Sequence, residues 1–254
     1  MTNSLEIPTR FRGPPHSGNG GYVAGIFASA LAQRHNLPGQ AVEVTLRAPT
    51  PLDTPLSVEH GDSMLTVRAA ATSGATLIAE ARIVPFELDV PRAATWAEAL
   101  AAQPNSYSLP TEFHPQFNQV RRGVHPICFC CGAEAPPTEG LHVYSAPIPS
   151  LDQVAAAWRP SEAFASGDTI APEFLWTALD CPGQMAWRAA GIQTGMLGRL
   201  TARIERSVRA GERCVVSGWT LGREGRKFFA GTALFNEAGD LCAYAKAVWI
   251  GRPA

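Results

Sequence analysis

Lysine is nearly absent from this chain: of 254 residues, only Lys227 and Lys246 carry an ammonium group. Charged residues make up 17%, and 21 basic side chains against 22 acidic ones leave a net charge of −1. The first half leans slightly acidic and the second slightly basic, too little for a nucleic-acid footprint, so no nucleic-acid partner is expected. Long apolar runs are missing as well, which argues against a membrane-spanning helix; no membrane partner is expected. The opening residues Met1-Thr2-Asn3-Ser4-Leu5-Glu6 lack the basic start and apolar core of a signal peptide, and a cytoplasmic location is the expectation. No cysteine precedes Cys128; Cys128, Cys130, Cys131, Cys181, Cys214 and Cys242 then read as reduced thiols rather than a disulfide framework. What remains is an ordinary globular composition, 46% apolar, with length for one large domain or two of about 125 residues.

The order of elements repeats. From Gln40 to Phe86 the apolar residues alternate (Val42, Val44, Leu46; Leu56, Val58; Leu65, Val67; Leu77 to Val84), the period of half-buried strands. Breaks fall at Pro49–Asp53, His60-Gly61-Asp62 and Ser73-Gly74. A helix from Gly21 to His35 precedes this block and ends at Asn36-Leu37-Pro38-Gly39. In the second half Val154–Trp158 reads as a strand, Pro172–Ala190 as one helix and Leu197–Trp249 as several strands, the last two paired across a turn at Asn236–Asp240. This shared order predicts a tandem duplication: residues 1–88, a strap over 89–139 and residues 140–254. The strap is rich in proline (Pro110, Pro115, Pro126) with a short helix near Ala94–Gln103, and a stretch this long fits a connection between halves.

Two segments carry the candidate chemistry. Gly18-Asn19-Gly20-Gly21 leads into a small-residue helix, where a glycine turn exposes backbone N–H groups that hold an anion or polarise a carbonyl. Its partial echo, Ala171-Pro172-Glu173-Phe174-Leu175-Trp176-Thr177-Ala178-Leu179-Asp180-Cys181, lacks the glycines but adds a carboxylate. If the halves face each other, one supplies donors and the other an acid. Asp180 beside Pro182-Gly183 also reads as a helix-boundary residue, and Asn19 as an N-cap with substrate contact as a second role. His16, on a proline-rich loop, reads as solvated, with general-base work as the sharper role. Cys128, Cys130 and Cys131 with His125 and His142 invite a zinc reading, but a single Cys-x-x-Cys pair supplies two ligands, so a buried turn and no metal is the expectation. Cys181 has no histidine nearby in sequence to activate it.

One helix on a curved antiparallel sheet, twice in one chain, resembles the double-hotdog proteins related to acyl-CoA thioesterases. The resemblance rests on Gly20-Gly21-Tyr22-Val23-Ala24-Gly25, on Thr177-Ala178-Leu179-Asp180 and on the closing hairpin from Arg226-Lys227-Phe228-Phe229-Ala230-Gly231 to Ala247. Cys128-Phe129-Cys130-Cys131-Gly132 with Gly140-Leu141 is also similar to a lead-in found ahead of many hotdog domains. It implies an α+β tandem hotdog and a thioester hydrolase needing no cofactor. Asp180 would be base or nucleophile, and the Gly20 and Gly21 amides would hold the carbonyl oxygen. It further implies an acyl-CoA or other acyl-thioester substrate contacting His16, Asn19 and Tyr22, with Trp176 lining an acyl tunnel. Arg223, Arg226 and Lys227 would meet the coenzyme phosphates. Association into homo-oligomers through sheet edges or faces is in keeping with the resemblance. Polar helpers for the acid are replaced near Phe229 and Ala247, and Leu200-Thr201-Ala202 stands where a second acid is expected. A non-catalytic acyl-thioester or lipid-binding hotdog is therefore the alternative, and a hotdog hydratase or dehydratase comes third because neither helix carries both His and Asp.

Overall fold

The computed structural model describes residues 3–251 apart from 36–38, 72–73, 115–118 and 122. The helix-ending Asn36-Leu37-Pro38, Ser73 of one turn and Pro115 of the strap lie outside the described residues. In chain order the first half contains β1 (Asn3–Leu5), α1 (Gly20–His35), β2 (Ala41–Leu46), β3 (Leu56–His60), β4 (Met64–Ala71) and β5 (Gly74–Val84). The connecting region holds α2 (Trp96–Ala102) and a small hairpin of β6 (Thr111–His114) and β7 (Gln119–Arg121). Next come β8 (Ala146–Ile148), β9 (Gln153–Trp158), the short pair β10 (Ala165–Ser166) and β11 (Thr169–Ile170), α3 (Pro172–Ala178) and α4 (Cys181–Ala189). The chain closes with β12 (Met196–Ile204), β13 (Cys214–Glu224), β14 (Lys227–Phe235) and β15 (Leu241–Ile250).

Eleven strands form one sheet in the order β1-β3-β4-β5-β2-β12-β15-β14-β13-β9-β8, with every neighbouring pair antiparallel. The first five strands come from the first half and the other six from the second, so the halves share one sheet joined at β2–β12. At that seam Thr201 faces Glu43 and Leu200 faces Val44. Glu43 sits between Arg82, at 2.6 Å, and Arg199, at 3.5 Å, so the seam carries charge on its outer side and Val44 and Leu200 in the core. The architecture is a double hotdog, with each curved half-sheet wrapped around helix.

The two helical layers meet directly. A Cβ added at Gly21 would lie 2.6 Å from the Asp180 Cβ and 2.8 Å from the Trp176 carbonyl oxygen; one at Gly25 would lie 2.6 Å from the Glu173 Cα. Glycines one turn apart therefore let α1 cross α3 at backbone contact, running in the opposite direction.

The single helix expected over Pro172–Ala190 is broken: α3 ends at Ala178 and α4 starts at Cys181. Pro182 explains the break, because it has no N–H to donate and its ring collides with the carbonyl four residues back. Side chains support the carbonyls at the break, Thr177 O also accepting the Asp180 N–H at 3.1 Å. Thr232 Oγ1 donates to Leu179 O at 2.8 Å, and the Cys130 thiol donates to Thr177 O at 3.1 Å.

The connecting region wraps the second half. Phe86, Leu88 and Val90 pack on Trp219, Ala233 and Tyr244, with Phe86 stacked on Tyr244. α2, capped at Thr95 by a reciprocal bond with Glu98, then packs Ala99 and Ala102 against Ala146, Ile148, Ala155 and Val215. After β7 the chain turns inward and delivers Phe129 to an aromatic cluster with Phe11, Tyr22, Phe164 and Phe174.

Candidate active site

The start of α1 faces the break between α3 and α4, and Asp180 stands in that gap. Asn19 caps α1: its Oδ1 accepts the Tyr22 N–H at 2.9 Å, and its Nδ2 donates to Asp180 Oδ2 at 3.0 Å. The Gly21 N–H donates to the same oxygen at 2.9 Å. The carboxylate of the second half is thus held by two donors at the positive end of the first half's helix. Asp180 is only 3% exposed, and its Oδ1, itself buried, has no hydrogen-bond partner among the described residues. Burial outweighs the two hydrogen bonds and pushes its pKa up to about 7.

A cavity of about 230 Å³ opens beside this carboxylate. Its lining includes the polar Asn19, Arg47, His125, Asp180 and Gln184 and the apolar Leu46, Leu197, Trp249 and Ile250. A lining that mixes apolar side chains with a few polar groups, the acid among them, suits an apolar group carrying one reactive polar atom.

His125 reaches the site from the connecting region. It adopts φ 54°, a left-handed conformation that costs a non-glycine residue on the order of 1–3 kcal/mol. The Cys128 N–H holds its carbonyl at 2.9 Å, and its Nε2 meets Gln184 Oε1 at 3.0 Å. An amide oxygen only accepts, so Nε2 carries the proton in that contact. Gln184 is fixed in turn by donating to Gly195 O at 3.0 Å.

Four thiols surround the back of the site. Cys128 and Cys181 sulfurs are 3.9 Å apart, and those of Cys128, Cys131 and Cys181 lie within 4.8 Å of one another. Hydrogen bonds from the Cys131 and Cys181 thiols hold Cys128 well below the usual thiol range, and the same bonds push the two donors well up. Cys130, with its sulfur on Thr177 O, is raised by burial.

Of the residues singled out in the sequence, the fold brings Asn19, Gly20 and Asp180 together on the cavity wall. Gly21 adjoins them, but its N–H is committed to the carboxylate rather than free for a carbonyl oxygen. Gly20, at the first helical position, has an N–H with no hydrogen-bond partner among the described residues. Tyr22 is buried with its ring stacked on Phe11 at 3.9 Å, and burial pushes its hydroxyl up to about 12. Trp176 packs where α3 meets α1, and His16 is exposed on its loop; none of these three is on the cavity wall. Arg223, Arg226 and Lys227 lie on the β13–β14 hairpin. Arg226 donates to Gly251 O at 3.0 and 2.9 Å, and Arg223 rests over Phe228 at 5.1 Å. Arg223 and Arg226 border a second depression with Gln193 and Thr194, next in sequence to Gly195 on the cavity wall.

Gln184 is the residue sequence reasoning missed. It follows Asp180 by four positions, a spacing that puts both on one helical face, so a signal was there. His125 stands in sequence beside the cysteines, and nothing local links it to a helix 59 residues away.

No family model matches the chain, and no curated protein matches it by sequence. Solved structures do match along nearly the whole length. One is a protein assigned as a thioesterase from Novosphingobium aromaticivorans, at 15% identity and TM-score 0.63, covering 98% of this chain and 95% of that one. Another is the tesB protein of Mycobacterium avium subspecies paratuberculosis, at 14% identity and TM-score 0.57, covering 98% and 91%. A third is the N-terminal dehydratase of the difficidin assembly line, at 13% identity and TM-score 0.56, covering 100% and 94%. These likenesses define the class of fold as hotdog. Within that class one scaffold carries different chemistries, so the site must decide between them.

Proposed function

We propose that this double hotdog hydrolyses a small acyl thioester, with Asp180 as general base. The carrying observation is the clamped carboxylate: Oδ2 is held by Asn19 and Gly21, while the unpartnered Oδ1 belongs to a residue on the wall of an apolar cavity. The acyl group lies along Leu46, Leu197, Trp249 and Ile250, and its carbonyl oxygen takes the Gly20 N–H at the positive end of α1. Oδ1 removes a proton from water as the oxygen attacks the carbonyl carbon; the tetrahedral intermediate then expels the thiolate, which takes that proton. Gly21 serves to position the acid, and Gly20 is the donor to the carbonyl oxygen.

A cavity of about 230 Å³ lies below the roughly 300–1,000 Å³ of drug-sized ligand sites, which favours a short acyl group. Acyl-coenzyme A is the substrate class that best fits the arginines outside it. Arg47, paired with Glu80, is on the cavity wall, and Arg223 and Arg226 border the neighbouring depression; with Lys227 of the same hairpin they would meet its phosphates. No helix among the described residues is long and apolar enough to cross a membrane.

One observation favours a second reading. His125 and Asp180 share the cavity wall although neither helix carries both, and such an acid–base pair serves hydration or dehydration of an acyl chain. Free-thiol release from a panel of short acyl-CoAs tests the first reading, and conversion of enoyl- or 3-hydroxyacyl-CoA without thiol release supports the second. Saturable acyl-CoA binding with neither reaction would instead make the protein a binding module.

A further inference from the structure

The connecting region brings two cysteines to a third from the broken helix. Cys128 and Cys131 sit in a turn closed by Cys128 N–H to His125 O at 2.9 Å and Gly132 N–H to Cys128 O at 2.7 Å. The turn is wound so tightly that a Cβ at residue 132 would lie 2.5 Å from both Cys128 N and Cys128 O, so glycine is required there. Cys181 opens α4 directly after the break and meets this turn, with its sulfur 3.9 Å from that of Cys128.

Two sulfurs of a tetrahedral zinc site, each about 2.3 Å from the metal, are about 3.8 Å apart. The Cys128–Cys181 pair matches that edge, and the full set of three lies within 4.8 Å, so closing onto a cation needs movements of about an ångström. All three side chains are buried, and none is in a disulfide. Cys130 is excluded from the set, because its sulfur is spent on Thr177 O. A polar hydrogen already faces the cluster, since Asn19 Nδ2 lies 3.6 Å from the Cys128 sulfur. A donor of this kind stabilises and orients a metal-bound thiolate.

We propose that Cys128, Cys131 and Cys181 bind one soft divalent cation, zinc. Three thiols select zinc over the hard cations magnesium and calcium, which take oxygen ligands. Cys128 and Cys181 line the cavity while Cys131 does not, so the fourth position opens toward the cavity. Three protein ligands and one open position form the pattern of a zinc that meets substrate or water. The proposal is independent of thioester cleavage, because metal binding is read without any substrate.

The test uses the full chain, purified under reducing conditions without chelator from zinc-supplemented medium. Elemental analysis should find about one zinc per chain. After chelation, cobalt(II) should restore one equivalent and produce the near-ultraviolet thiolate-to-cobalt charge-transfer band. Cys131→Ser and Cys181→Ser should each weaken binding by more than about a hundredfold, while Cys130→Ser and Cys214→Ser keep it. Zinc well below one equivalent together with no cobalt charge-transfer band in the wild-type protein overturns the proposal, whatever the variants do. Full zinc retention by folded Cys131→Ser and Cys181→Ser proteins overturns it equally.

Discussion

The two halves answer the same architectural problem with different helices. The first uses one unbroken helix of 16 residues, α1, with glycines at 20, 21 and 25. The second uses two short segments, α3 and α4, separated at Leu179–Asp180. The continuous helix offers N–H groups with no partner inside the helix at its start, and a smooth glycine surface for contact. The broken one offers what an unbroken helix withholds: released carbonyls, a redirected chain and an acid turned to its partner. Neither half has both donors and acid: with the two helix starts aligned, Gly20-Gly21 falls opposite Pro172-Glu173 and Asp180 opposite Ala28. One clamped carboxylate where the helices of the two halves meet, rather than two equivalent sites among the described residues, follows from this asymmetry.

The largest effect that would break the comparison is at the acid. Asp180→Asn should lower kcat by roughly 10²–10⁴-fold while the far-ultraviolet spectrum stays that of the folded protein. A full rate of thiol release from this variant would remove the carboxylate from the reaction.

The glycine surface comes next. Gly21→Ala and Gly25→Ala each force a methyl group into the α1–α3 contact and should cost about 1–3 kcal/mol in urea unfolding. Only the Gly21 methyl meets the Asp180 Cβ, so this variant should also lose activity per folded molecule, whereas Gly25→Ala should keep it. Equal activity in the two would mean that contact with α1 does not position the acid.

Breaking the second half's compensation is subtler. Thr232→Val leaves the Leu179 carbonyl without its donor in a buried place and should cost about 1–3 kcal/mol by the same measurement. The smallest stability change is expected for Asn19→Ala, about 1 kcal/mol from the lost cap, accompanied by a fall in kcat because one of two donors to Asp180 goes with it. Unchanged kcat in Asn19→Ala would confine that residue to capping.

Much of the fold was legible because its signals are local. Alternation across Val42, Val44 and Leu46, the turn at Asn236–Asp240 and the glycine start of α1 each depend on a few adjacent residues, and each reappears in the structure. The helix break was less legible: an apolar pattern through Trp176 and Met185 favours continuity, and only Pro182 argues against it. Within the site, Asp180 and Gly20 could be paired by comparing the halves. The Asn19–Asp180 bond spans 161 residues and the Cys128–Cys181 contact 53, and no periodicity encodes such meetings. Gly21 marks the boundary. Its conformational role was readable, but which acceptor its N–H would find depended on where the other half placed its acid.

The eleven-stranded sheet ends in β1 on one side and β8 on the other, strands of three residues each. Pro147 lies within β8 and removes one donor from that margin. Such truncated borders give a second molecule too few backbone groups to extend the ladder. Edge-to-edge growth into ribbons is the kind of association that borders this short oppose.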